Sequence, residues 1–163
     1  MREIPREPQN HRFVLKAIGE AGRELAEELY GVRRREADRR GDDRWTLRLI
    51  AAHVRDNEEI VLSYLERILA RREPRLDVID AERALDDPDS VTEDMDELCN
   101  EFIYLRRQTQ MLLWDLSPGA WERRGIHVYR GPCTVLELTR ELHLHDLEHL
   151  WQARRMREGV LRA

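Results

Sequence analysis

Two histidines, His145 and His149, stand four residues apart in a segment of helical periodicity, and that spacing can chelate a metal ion. At about 100° per residue their side chains lie about 40° apart on one helix face. Stepping by threes and fours from Val135 gives Leu138, Leu142, His145, His149, Gln152 and Met156. This is an unbroken core stripe in which three successive positions are polar. Burying two neutral imidazoles and an amide without partners would cost about 1–3 kcal/mol each. A divalent ion removes that cost by accepting a lone pair from each ring.

A third ligand is expected from another helix, and His53 has the same character. It lies between Ile50 and Ile60 on an apolar face, flanked by Ala51 and Ala52. Three histidines from two helices leave coordination positions open, as in catalytic rather than structural sites. Gln152, one turn beyond His149, is placed to bond a coordinated water or to orient a ligand ring. The competing reading is a bundle without metal, with a polar core network around His145, His149 and Gln152. Of the other histidines, His143 is about 200° from His145 around the helix and faces outward. His11 is expected to be exposed. His127 lies in a long loop, as a lid over the site or as a plain surface histidine.

Four long helices position these residues. The first runs from about Asn10 to Tyr30, with Phe13, Ala17, Ile18, Leu25 and Leu29 on one side and Gly31 as its stop. The second runs from about Thr46 to Arg72, where Leu49, Ile50, His53, Ile60, Tyr64 and Ile68 recur, and Pro74 closes it. The third is expected to begin at Ser90, which forms a capping-box pattern with Glu93, and to continue through Met95, Leu98, Phe102, Leu105, Leu112 and Leu113. The fourth starts at Thr134, with Glu137 as its capping partner, and ends near Gly159. The fold class is therefore all-α, a four-helix bundle in one domain spanning residues 1–163. Long connections, 73–89 and 117–133, join helices two to three and three to four, so not every neighbour is a sequential hairpin. A helical turn is expected around Val78 to Leu85.

Composition agrees with this class. A hydrophobic fraction of 41% with a charged fraction of 37% suits long amphipathic helices. The net charge of −5 gives no basic footprint for nucleic acid. Lys16 is the only lysine, and the arginine run from Arg33 to Arg40 is broken by Glu36 and Asp38, which suits a solvated helix end or loop. Cys99 and Cys133 are too few for a disulfide framework and read as ordinary thiols. Met1 to Asn10 has no apolar signal core, and no stretch approaches the roughly 20 apolar residues of a membrane span. A cytoplasmic location with no membrane partner follows as the default.

The run His145-Asp146-Leu147-Glu148-His149-Leu150-Trp151-Gln152 resembles the His-Asp-x-x-His-x-x-Gln signature of the DinB-like (DinB/YfiT) superfamily. Trp45 through His53 to Asp56-Asn57-Glu58 resembles its second-helix pattern. Trp121 to His127, then Gly131-Pro132 and Thr134-Val135, resembles its approach to the last helix. The resemblance implies a four-helix bundle with non-sequential helix order, usually a homodimer. It implies Zn or Ni held by three histidines, which here are His53, His145 and His149. It also implies chemistry such as S-transfer or isomerisation with low-molecular-weight thiols such as mycothiol or bacillithiol.

Two function classes are expected. The first is a metal-dependent enzyme, a thiol (S-)transferase or a hydrolase, acting on a small-molecule substrate. Asp56, Glu58, Glu148 and His127 are the candidate general bases, with none preferred. The second is a non-catalytic metal-binding or stress-related bundle acting through a dimer interface. A closed four-ligand site would favour the second class.

Overall fold

The computed structural model describes residues 9–41 and 43–162. The first eight residues, on which the expected lack of a signal core partly rests, lie outside the described residues.

Four long helices dominate: α1 (Gln9–Leu29), α3 (Leu47–Ala70), α5 (Met95–Leu113) and α7 (Val135–Arg162). Between them lie single helical turns α2 (Arg34–Ala37), α4 (Arg83–Asp86) and α6 (Pro118–Trp121), and a 3-10 turn at Pro88–Ser90. The helix ends follow local chemistry. Gly31 leaves α1 at φ +75°, a conformation that only glycine adopts cheaply. Thr46 caps α3 by accepting from the Leu49 amide at 3.1 Å. Thr134 and Glu137 form the expected reciprocal cap at α7, at 3.1 and 3.3 Å.

The start of α5 differs from expectation. Its capping box is Asp94 with Glu97, at 2.9 and 3.1 Å, and not Ser90 with Glu93. One tertiary and one local contact decide between two equally good local patterns. Glu93 is drawn to Arg55 at 2.9 Å, and Ser90 bonds back to the Asp87 carbonyl at 2.7 Å.

The long helices pack as α1 on α5 and α7, and α3 on α5 and α7. The first two long helices therefore sit diagonally, and the chain visits the bundle out of spatial order. Two expectations for α1 are overturned. Phe13 is 67% exposed. His11 is buried, stacked on Trp121 at 4.8 Å with the rings 10° apart.

The connection before α7 is not a plain loop. Strand β1 (Arg75–Leu76) pairs parallel with β2 (Arg124–His127), which pairs antiparallel with β3 (Gly131–Thr134). This small sheet closes one end of the bundle. It lies so close to α3 that a Cβ at Gly125 would meet Leu76 at 2.8 Å and Ile68 at 3.0 Å.

The apolar core is in two parts. One holds Leu25, Ile50, Val54, Leu98, Phe102 and Leu150; the other holds Ile18, Leu65, Ile68, Leu113, Leu138 and Leu142. Between them, at the same level on three helices, stand the buried polar residues Glu58, Arg106, Thr109 and Asp146. Among the described residues, no helix is long and apolar enough to cross a membrane.

Candidate metal centre

Helix α3 carries His53 and helix α7 carries His145 and His149, and the bundle brings the three rings together. His53 Nε2 lies 2.9 Å from His145 Nε2, and His149 Nε2 lies 3.2 Å from the same atom. One ligand nitrogen from each residue falls within 4.8 Å of the others. Bonds of about 2.0–2.1 Å to a common tetrahedral ion would hold nitrogens roughly 3.3 Å apart. The observed spacing is of that size.

The outer ring nitrogens decide what the inner ones offer. His53 Nδ1 lies 2.6 Å from the Ala81 carbonyl, which can only accept, so this nitrogen carries the proton. His149 Nδ1 stands 2.8 Å from Gln152 Oε1 and donates to it in the same way. Both Nε2 atoms are then bare lone pairs aimed at a third ring nitrogen. One proton on His145 cannot satisfy both of them at once, whereas a cation at their centre satisfies all three. The donor set therefore fits a divalent ion.

The electrostatics keep the rings in ligand form. Burial lowers His145 to about 3, helped by its neighbours His149 and His53 and by Arg106. Burial also lowers His149, against the opposing effect of its bond to Gln152. Half-buried Trp45 packs on two of the rings, 5.3 Å from His53 and 5.5 Å from His149. Asn57, one turn after His53, puts its side-chain amide 3.4 Å from His145 Nδ1.

The other candidates lie elsewhere. Half-buried His127 sits on β2, its Nδ1 accepting from the Tyr129 and Arg130 amides at 3.2 and 3.3 Å, and its ring stands 6.1 Å from Tyr64. It is not part of the three-histidine group. Asp56 is held by Arg55 at 3.0 Å, and Glu148 is exposed. Glu58 is 1% exposed and bonded to Arg106, so it is not a free base facing the histidines.

That last pairing belongs to a network not recognised in the sequence. Arg106 on α5 is buried and uses all five of its N–H groups. Nε and Nη2 donate to Glu58 at 2.9 and 2.7 Å. Nη1 and Nη2 donate to Asp146 at 2.6 and 3.1 Å, and Nη1 also donates to the Ile18 carbonyl at 2.6 Å. Thr109 adds a bond to Glu58 at 2.8 Å. Burial disfavours the guanidinium charge, but the two carboxylates outweigh it and raise Arg106. Each member lies on its helix's core stripe, as in Ile50-Val54-Glu58-Val61-Leu65, Phe102-Arg106-Thr109-Leu113 and Thr139-Leu142-Asp146-Leu150. Interrupted periodicity could have identified its three charged members, Glu58, Arg106 and Asp146.

Comparison with known proteins agrees with this architecture. None of the curated proteins compared with the sequence matches it. Among solved structures, the fold is similar to YfiT from Bacillus subtilis, with a TM-score of 0.83 at 17% identity, over 98% of this chain and 94% of that one. YfiT is described as a probable metal-dependent hydrolase with an unusual four-helix bundle topology. The family model of the DinB superfamily matches residues 17–153, a span that contains all three histidines, the whole of α3 and α5 and most of α1 and α7. The chain belongs to the DinB superfamily.

Proposed function

We propose that this protein is a metal-dependent enzyme that holds one divalent ion, Zn or Ni, on His53, His145 and His149, and that it hydrolyses a small molecule. The observation that supports this is the convergence of three Nε2 atoms while Nδ1 of His53 and of His149 is taken by a carbonyl oxygen. The description of YfiT as a probable hydrolase supports the choice of reaction.

Such an ion supplies Lewis acidity, polarising a carbonyl and acidifying water or a thiol. The chain's own part is to present neutral rings in fixed orientation. Burial keeps His145 and His149 deprotonated at neutral pH. The Ala81 carbonyl and Gln152 hold two rings by their outer N–H groups. Trp45 covers the rings on one side and limits water there.

The chain's own thiols are poor nucleophiles. Burial pushes Cys99 up to about 12 and raises Cys133 as well. Thiol transfer, the variant chemistry this reading accommodates, would draw its thiol from a low-molecular-weight cofactor.

Metal analysis of untagged protein tests the proposal. One divalent ion per chain is expected, lost in both His53→Ala and His145→Ala, with hydrolysis of an ester and amide panel abolished by chelation and restored by Zn or Ni. Full metal occupancy in both variants would overturn the ligand set.

A further inference from the structure

We propose that Arg106 is the positioning residue of the three-histidine centre: its buried guanidinium locks α3 against α7 beside the ligands and so sets the separation of His53 from His145 and His149. This rests on the metal reading above.

The ligands come from two helices, so their separation depends on the register of α3 against α7. Among the described residues, the polar links between these helices other than those made by the histidines themselves run through Arg106. Its carboxylate on α3, Glu58, follows Asn57, the residue whose amide reaches His145. Its carboxylate on α7, Asp146, directly follows His145. Two planar bidentate pairs fix both distance and orientation, which a single point charge would not. Helix α5 carries no ligand, yet it clamps both ligand-bearing helices.

Stability alone does not account for the network. A buried charge cluster is often no more stable than well-packed apolar residues of similar volume. The fold also leaves space for it. Gly22 on α1 faces the guanidinium, and a Cβ there would lie 2.7 Å from Nη1. Nη1 is the end of a flexible side chain in general, but here it is held by the Ile18 carbonyl and by Asp146. A methyl group at position 22 must therefore displace the clamp itself.

The test titrates metal-free wild type and variants with Co2+, following its ligand-field absorption, and with Zn2+ against a chelator of known affinity. Asp146→Asn keeps the side-chain shape and removes the charge and one acceptor. Its expected result is native helical circular dichroism, affinity for both metals weakened ~10–100-fold, and a changed Co2+ band. Gly22→Ala removes no charge, and it is expected to shift affinity and band in the same direction. It also serves as the deciding variant should Asp146→Asn fail to fold. Leu65→Ala, a cavity two helical turns beyond Glu58 on α3, is expected to lower the Tm while leaving affinity and band as in wild type. That outcome separates register from general loss of stability. A folded Asp146→Asn, or in its absence a folded Gly22→Ala, with wild-type affinity and band would overturn the clamp. Wild type that binds no Co2+ would instead overturn the metal reading, and the clamp with it.

Discussion

Gln152 Oε1 stands 2.8 Å from His149 Nδ1, one helical turn away on α7, and so points the lone pair of His149 Nε2 toward His145 and His53. A side-chain amide, not a backbone group, fixes this ring. Its effect can therefore be removed by substitution.

Gln152→Leu keeps the bulk and the helix propensity but removes the acceptor. The expected outcome is an intact fold with metal affinity weakened ~10–100-fold, measured by chelator competition. Unchanged affinity would reduce Gln152 to packing.

Chelation is expected to lower the Tm while leaving most helical circular dichroism in place. A bound ion stabilises the native state by mass action, but the bundle has two apolar core parts of its own. Collapse of the helical signal on chelation would make the ion structural and remove the case for an open catalytic site.

Acid should destabilise the metal-free protein in a defined window. His145 is lowered from 6.5 to about 3 in the fold, and His149 is lowered too. Above pH 6.5 both states are neutral and these groups contribute no pH dependence. Between about 6.5 and 3 the unfolded chain binds a proton at His145 that the native state does not, and the lowered His149 acts in the same direction below 6.5, so stability falls as pH falls. The slope is up to ~1.4 kcal/mol per pH unit for each group. Urea midpoints of metal-free protein between pH 7 and 5 measure it, and a flat profile would contradict the burial of neutral rings.

Arg106→Leu strands Glu58 and Asp146 without their counter-charge in the core. Breaking a buried ion cluster from one side costs about 3–5 kcal/mol, read as a lower midpoint in chemical denaturation. A loss below about 1 kcal/mol would mean that water reaches the carboxylates.

Gly125→Ala places a methyl group against Leu76 and Ile68 where β2 crosses α3. Overpacking of this kind costs about 1–3 kcal/mol. A thermal melt of the variant should show the loss, whereas Gly119→Ala, which meets no atom within 4 Å, should not show it.

Helical periodicity by itself determined the long helices, the cap of α7 by Thr134 and Glu137, and the shared face of His145, His149 and Gln152, because these depend on residues three or four apart. It also marked His53 as an odd residue on an apolar face. Which residues meet across helices was decided only by tertiary structure. Glu58 lies 48 residues from Arg106 in sequence, and Asp146 lies 40. A charged residue on a core stripe looks the same in sequence whether it snorkels to water or finds a partner on another helix. The choice of Asp94 over Ser90 at the start of α5 was likewise non-local, because Arg55 on α3 takes Glu93. The two-residue strand β1 was invisible for the same reason, since it pairs with β2 about 50 residues further on, whereas β2 and β3 form a local hairpin too short to carry a clear alternating pattern. His11 went from expected exposure to burial because Trp121, distant in the chain, stacks on its ring. Local chemistry set the helices and their faces; the register between them, on which the spacing of three histidines depends, was set by packing and by one buried guanidinium.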